Sequence, residues 1–562
     1  CMVALAQEAP ADGLSLGRLD LLLQPYFEHE MRSSETPGER RATVRRVMEM
    51  VGAFLLRVAD HVPALPTLAS SMRAGAGACQ AVTIGGITED GSSALCDMTY
   101  VLLRTFELLR VREPVLHARY HPGANPEYYL RRLCEASLLT GGAPLVHHDA
   151  PIIAALVRQG FPLVRARDWA VTAWGVPTIG GEQWAQPGAV SLNLMAPLEM
   201  ALNDGVHPRA IEAQGPNTGA PRSFHCFDEL LAAFQAQLQQ VVDHAVRGDT
   251  ALAQAWQRAR PRPLLSALML GTQDASQDVT EGGARYRATG FEIVGFADVV
   301  DCLAAIERVV FDLGTLSLDE LLRAMAANFE EHASLHDQLL RTAPKYGDGS
   351  AQAQALASKV AGMVRVALRR HDTPLGGPHV PGYCGLTANV VWGRMTGALP
   401  SGRLRRQPFA AGAAPSHRTV GSLADRLRHA AAIHADDVPQ GFTVAIRHGD
   451  DGGDQSVMVD QLVQILRSFF AKGGLVAQLD TLPLQLLRLA ADAPATFADL
   501  MVPVCGYDAY LGTLPWIALD DVLRRAGIEQ ANGTVDVEDP YDEGDIEQLE
   551  DEVEEPLPSD AG

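Results

Sequence analysis

Cysteine is scarce and scattered in this chain. Its 562 residues include 8 cysteines, Cys1, Cys79, Cys96, Cys134, Cys226, Cys302, Cys384 and Cys505. No two form a CxxC pair, which excludes zinc-finger and thioredoxin-like arrangements. Isolated thiols in so long a chain read as buried free cysteines in a reducing compartment. Long apolar runs are missing as well, and no stretch approaches the roughly 18–20 residues of a membrane span. The opening CMVALAQEAP has neither the charged nor the apolar region of a signal peptide, so the expected location is the cytoplasm. Basic charge is short, with 46 Lys and Arg against 68 Asp and Glu and a net charge of −22. That balance argues against nucleic acid as a partner. There is no Walker loop, no strand-to-helix GxGxxG and no GxSxG, and no internal repeat is visible.

What is present is a globular composition, 47% hydrophobic and 20% charged, long enough for several domains or one large α/β barrel. The acidity is unevenly placed. Between Asp536 and Asp560 lie 13 acidic residues and no basic one, and without them the chain carries only −9. A charge run of this kind reads as a solvated, disordered tail over 530–562, or as a docking tail for a partner protein. Helical periodicity is clear at Val44, Val47, Met48, Val51, Phe54, Leu55 and Val58, at Leu95–Leu109 and at Phe227–Val246. Further helices are expected near 317–331, 351–370, 455–471 and 481–492. Short apolar stretches read as buried strands: VLHAR (115–119), VSLNL (190–194), FTVAI (442–446), GLVAQ (474–478) and LMVPVC (500–505). Alternation of such strands with helices predicts an α/β fold with function in loops at strand ends. The Pro- and Gly-rich segments 371–385 and 397–415 are long and irregular, as site-forming loops are.

Several blocks together resemble the glycyl radical enzymes, the family of pyruvate formate-lyase and the glycerol and choline lyases. VTIGGITEDGSSALCDMTYVLLRTFELL is similar to the family's Gly-Gly and Asp-Gly segment. REPVLHARYHPG followed by GGAPLVHHDAPIIAAL is similar to its arginine-bearing strand, Gly-x-Pro and Phe-Asn-Asp. MTGALPSGRLRRQPFAAGAAPS resembles the Ala-Thr-Pro-Asp-Gly-Arg block. KGGLVAQLDTLPL through MVPVCGYDAYLGTLPW resembles the C-terminal region that ends in Arg-Val-x-Gly-Tyr. The blocks keep the family's order over roughly residues 80–525. The resemblance implies a glycyl-radical-enzyme-type β/α barrel, with parallel and antiparallel central strands and helices outside. We expect one barrel domain over 1–529, with a helical part at about 1–80 and the radical-type region at about 420–529. Two loops would meet at its centre, one with the radical glycine and one with a catalytic cysteine.

Gly506 falls on the radical position and is followed by Tyr507. The other loop departs from the family. In RDWAVTAWGVPTIGGEQW, Trp174 stands where the thiyl-forming cysteine belongs, and Val176 where the acid–base glutamate belongs. Indole cannot relay hydrogen as a thiol does, and valine transfers no proton. Pro503 replaces the family's arginine, and His148 stands where asparagine precedes Asp149. The candidate catalytic residues are therefore Gly506, Tyr507, His148 and Asp149. Trp174, Arg119, Val176 and Cys384 are candidates for lining a substrate pocket, with Arg119 suited to an anion. His147, His148 and Asp149 form the best metal-like cluster, but adjacent side chains diverge and no further ligand is evident, so no metal is expected. No bound cofactor is expected either, and a radical at Gly506 would need an activase. Three functions stay open. One is a repurposed member that binds a small molecule or runs non-thiyl chemistry, one is a pseudoenzyme that scaffolds a partner, and one is a radical lyase or carbon–carbon transferase with a displaced thiol. Homodimerisation is compatible with each.

Overall fold

The computed structural model describes residues 13–61, 70–209, 214–449 and 453–528. The acidic tail expected over 530–562 lies outside the described residues. Nine strands form the wall. In chain order these are β1 (Leu14–Arg18), β2 (Gln80–Gly85), β3 (Val115–Tyr120), β4 (Leu145–His148), and, after two strands described below, β7 (Val190–Asn193), β8 (Thr289–Val294), β9 (His379–Gly382), β10 (Val444–Arg447) and β11 (Val476–Asp480). One sheet runs β1-β2-β3-β4-β11-β10, the other β9-β8-β7. Neighbours are parallel except β4 and β11, which are antiparallel. A parallel bridge between Tyr383 and Phe442 ties the end of β9 to the segment entering β10. This is a mixed α/β barrel.

The expected strands VLHAR, VSLNL, FTVAI and GLVAQ all contribute to this wall. β1 was not expected. The N-terminal part, read as helical, opens on this strand before α1 (Leu19–Arg32) and α2 (Pro37–Ala59). A five-residue strand with glycine at position 17 offers too little periodicity to stand out.

Every residue of β2, β3 and β8 is buried, so both faces of the wall are covered. Helices cover the outside. α3 (Asp97–Leu109) and α4 (Glu127–Thr140) place Met98, Leu102, Phe106, Leu130 and Leu133 in one apolar cluster with Val82, Ile84, Leu116 and Val146. The inner face is set by register. Thr83 pairs with His117, Arg119 with His147 and Val476 with His147. Alternation then points Thr83, His117, Arg119, His147 and Gln478 inward. Polar side chains on an enclosed face need partners, and two short hairpins supply them. They are β5 (Trp169–Thr172) with β6 (Val176–Ile179), and β12 (Met501–Pro503) with β13 (Asp508–Tyr510). Each hairpin is a separate two-stranded sheet inside the wall. Among the described residues no helix is long and apolar enough to cross a membrane.

Candidate functional site

The β5–β6 hairpin turns through Ala173, Trp174 and Gly175, with Thr172 opposite Val176. Ala173 and Gly175 both have positive φ, 50° and 128°. The β12–β13 hairpin turns through Val504–Tyr507, closed by a hydrogen bond from the Val504 amide to the Tyr507 carbonyl at 2.9 Å. Gly506 has φ +84°, and a Cβ there would lie 2.9 Å from the Trp174 carbonyl oxygen and 3.3 Å from both Trp174 Cβ and Thr443 Oγ1. Only glycine combines that backbone with that approach. The two loop tips therefore touch, tryptophan backbone against glycine.

Gln478, inward on β11, holds the glycine loop. Its Oε1 accepts from the Gly506 amide at 2.9 Å, and its Nε2 donates to the Tyr507 carbonyl at 2.9 Å and to Asp508 Oδ1 at 3.1 Å. Burial pushes the Asp508 carboxyl up to about 7. The Tyr507 hydroxyl donates to the Ala74 carbonyl at 2.6 Å. Burial pushes this phenol far above its ordinary range. Tyr507, expected among catalytic residues, is thus spent as an anchor for the 70–79 segment.

Trp174 is buried. The Arg73 guanidinium lies 4.9 Å from its ring centroid. A Cβ at Gly188 would meet Trp174 Cζ2 at 3.0 Å and Glu292 Cβ at 3.9 Å, so indole and glutamate flank one glycine. Glu292 Oε1 accepts from the Gly385 amide at 2.7 Å, and burial pushes this carboxyl up to about 8. The neighbouring Cys384 thiol lies against the Thr443 hydroxyl, and burial raises it well above the usual thiol range. The Cys505 thiol lies against Gly385 and Gly412. It donates to the Cys384 carbonyl at 2.7 Å, and burial pushes it up to about 12. None of the three atoms nearest a Cβ at Gly506 is sulfur. Val176 is buried in β6 and brings no polar group.

Arg119, His148 and Asp149 do other work than expected. Arg119 Nε and Nη2 donate to Asp149 Oδ1 and Oδ2, each at 3.0 Å. Nη1 and Nη2 also donate to the carbonyls of Trp169 and Arg167, at 2.8 and 2.6 Å. Trp169 Nε1 donates to Asp149 Oδ1 at 2.6 Å, and the guanidinium lies 4.8 Å from the Trp169 ring centroid. Both charged side chains are fully buried. This is a closed fork-to-fork pair that fixes β5, and it leaves Arg119 committed rather than open to an anion. Asp149 does not cap its helix, α5 (Asp149–Arg158). His148 is the cap residue, and Asp149 is the first residue of the helix. His148 Nδ1 lies 3.0 Å from the Gly474 carbonyl and its ring stacks on Phe470. The Gly-Gly segment serves the same packing, since a Cβ at Gly86 would lie 2.7 Å from Arg119 Nε and 2.8 Å from Asp149 Oδ2. Arg403 likewise holds loop carbonyls, among them Gly397, and stacks on Phe409. Among the described residues no group of three His, Cys, Asp or Glu side chains is placed to hold a metal ion.

The sequence reading missed Glu292, Gln478, Thr443 and Arg73. Glu292 and Gln478 each stood as a polar residue flanked by apolar ones inside a strand, TGFEIV and VAQLD. A polar group in such a run must find a buried partner, and that signal was available. A second missed feature is the buried pair His117–His147, with Nδ1 and Nε2 2.9 Å apart beneath Trp169. Burial lowers both imidazoles, His117 to about 3.

Comparison with known proteins agrees with this geometry. The family described as pyruvate formate lyase-like matches residues 1–393. The chain is 26% identical to the trans-4-hydroxy-L-proline dehydratase of Clostridioides difficile, over 92% of this chain and 64% of that protein. It is 26% identical to the (2S)-3-sulfopropanediol dehydratase of Klebsiella oxytoca, over 92% and 63%. Among solved structures, a glycyl radical enzyme from Archaeoglobus fulgidus superposes with a TM-score of 0.85 at 29% identity, over 93% of this chain and 66% of that one. The glycerol-bound B12-independent glycerol dehydratase of Clostridium butyricum gives 0.85 at 25%, over 91% and 63%. The chain thus spans just under two thirds of the length of these curated relatives.

Proposed function

Because the chain belongs to the pyruvate formate lyase-like family, we propose that it keeps the family's barrel and its meeting of two loops but runs no thiyl chemistry there. Its centre instead holds a small polar molecule among Trp174, Arg73, Glu292 and Cys384. The observation that carries this reading is the contact of Trp174 with Gly506. A hydrogen relay needs a weak S–H bond beside the glycine, and this position offers indole. Cys384 is set back behind Thr443, and the Cys505 thiol is committed to a carbonyl. The acid–base group that would assist loss of water is valine at 176. Partial coverage of the relatives leaves their own substrates out of this assignment.

The test is anaerobic incubation with the activating enzyme of a diol dehydratase relative, followed by electron paramagnetic resonance and a product assay on 1,2-propanediol and glycerol. The expected result is no diol turnover by the wild type, whether or not a radical forms. Wild-type turnover abolished by Cys384→Ala would reinstate the displaced-thiol mechanism. A scaffold role is the second reading, favoured by the close packing of Trp174 against Arg73 and Gly188. It predicts that Trp174 fluorescence responds to no small ligand.

A further inference from the structure

Single apolar side chains in water are ordinary on a protein surface, but a run of them is not. The helical pair α1 and α2 carries such a run. Leu22, Tyr26, Met50 and Leu56 are each more than half exposed, and Phe54 is exposed beside them. Leu22, Tyr26 and Glu30 follow at i, i+4 along α1, as do Arg46, Met50 and Phe54 along α2, so each set forms one stripe. The stripes meet, because Arg46 pairs with Glu30. Ser34 Oγ lies 2.8 Å from Thr43 Oγ1 at the closed end of the same hairpin. The inner faces are already spent on α3. The Met98 amide donates to Gln24 Oε1 at 3.0 Å, and a Cβ at Gly52 would lie 3.7 Å from both Leu109 and Thr105.

Beside its stripe α2 is basic. Residues 40–57 hold five arginines and one acid, Glu49, in a chain of net charge −22. Arg46 and Arg57 are paired with Glu30 and Asp60. Arg41 and Arg45 are exposed and make no ion pair among the described residues. We propose that this apolar and basic face of α1 and α2 is the docking surface for the chain's own acidic C-terminal segment, residues 541–557. The contact is intramolecular and independent of what the barrel centre binds.

Three observations fit the segment to the surface. First, Ile546, Leu549 and Val553 recur at i, i+3 and i+7, the spacing of one helical face, amid seven acids between Asp545 and Glu555. Such a stripe matches a groove read by anchors at those intervals. Second, the charges are complementary. The segment belongs to the stretch with 13 acidic and no basic residues, and Arg41 and Arg45 have no acid of their own. Third, the segment reaches. Leu109 packs on α2 at Gly52, and the Arg112 guanidinium, three residues on, lies 5.7 Å from the ring centroid of Tyr510. Tyr510 ends β13 and leads into the last described helix, Trp516–Arg525. From Ile528 to Ile546 the extended chain spans up to roughly 60 Å, about the diameter of a body this size.

The experiment is oxidation of the native full chain by dilute hydrogen peroxide. Met50 sulfoxide is read by mass spectrometry, with exposed Met395 as the internal reference. A tethered segment at about millimolar effective concentration, binding with a Kd of about 0.1 mM, is docked about nine-tenths of the time and slows Met50 oxidation about tenfold. The expected result is slow oxidation of Met50 in the wild type at low salt. The triple variant I546S/L549S/V553S, altered only outside the described residues, should oxidise there about tenfold faster. Arg41→Glu with Arg45→Glu should give most of the same release, and Met395 should respond to neither variant. Equal Met50 rates in the wild type and the triple variant overturn the proposal. Protection that survives the triple variant and rises with protein concentration overturns it in favour of a second copy of the chain. Protection that appears only on adding phosphatidylserine vesicles overturns it in favour of a membrane surface. An arginine variant as protected as the wild type overturns the charge pairing.

Discussion

Replacing Asp149 by Asn would decide whether the Arg119–Asp149 constellation is a receptor or a staple. Asn keeps the shape and one acceptor oxygen for Trp169 Nε1, which now donates at 2.6 Å. What it removes is the charge facing a guanidinium that is itself fully buried. Breaking one side of a buried pair in this way costs about 3–5 kcal/mol. The double variant Arg119→Met with Asp149→Leu removes both charges. It also strips side-chain donors from the carbonyls of Trp169 and Arg167, at about 1–3 kcal/mol for a group left unsatisfied. The double variant should therefore lose far less than the sum of Arg119→Met and Asp149→Leu made singly, with a coupling of about 3 kcal/mol. The assay is urea unfolding followed by tryptophan fluorescence and by far-ultraviolet circular dichroism. If Arg119 were an anion receptor, Asp149→Asn would release it, and added phosphate would stabilise the variant. A loss below about 1 kcal/mol, or recovery in phosphate, would refute the staple.

Gly506→Ala should destabilise the fold by about 2–5 kcal/mol in the same assay. A residue at φ +84° costs roughly 1–2 kcal/mol, and a methyl 2.9 Å from the Trp174 carbonyl overpacks the loop by about 1–3 kcal/mol. Native-state alkylation read by mass spectrometry should label exposed Cys226 quickly while Cys384 and Cys505 stay protected at pH 8, because burial holds both thiols protonated. Equal labelling of Cys505 would show that the glycine loop is not seated. Stability should fall as pH rises from about 6.5 to 8, where the buried histidines are neutral in both states and no longer oppose the effect. Carboxyls whose pKa values are raised in the fold, Glu292 to about 8 and Glu113, Asp301 and Asp508 to about 7, are neutral in the folded state where the unfolded chain is already ionised. Glu292→Gln should reduce that slope by about 1 kcal/mol per pH unit, and an unchanged slope would contradict a raised Glu292 carboxyl.

Periodicity and turn residues carried the fold well. The helices around Val51, Leu102 and Phe234 bury the centre of each marked stripe, although Phe54 of the first is exposed, and four of the five apolar stretches became wall strands. The fifth, LMVPVC, became an inner hairpin arm, which no local pattern distinguishes from a wall strand. α6 (Phe227–Ala259) runs past the expected Val246. Its second half is rich in Ala, Gln and Arg, good helix formers that bury little. The loop contact between Trp174 and Gly506 was legible only through resemblance, because 332 residues separate them in the sequence. The packing partners of Arg119, His148 and Asp149 were not legible, for a physical reason. An arginine, a histidine and a carboxylate near a strand end have the same composition whether they wait for a ligand or saturate one another. Only the register that sets Arg119 beside His147 and points both at Trp169 distinguishes the cases.

The two inner hairpins share no ladder hydrogen bonds with the wall that surrounds them. Side chains and loop contacts hold the glycine hairpin, Gln478 at its turn and Tyr507 at Ala74. Displacing it would therefore break these contacts, with that of Arg525 to the Val504 carbonyl, but no strand pairing of the barrel. Opening of this kind costs less than global unfolding. Whatever reaches Gly506 from outside would meet it in that minority state, and the frequency of opening would set the rate of any modification there. Tightening the Gln478 clamp would slow such access without altering the glycine itself.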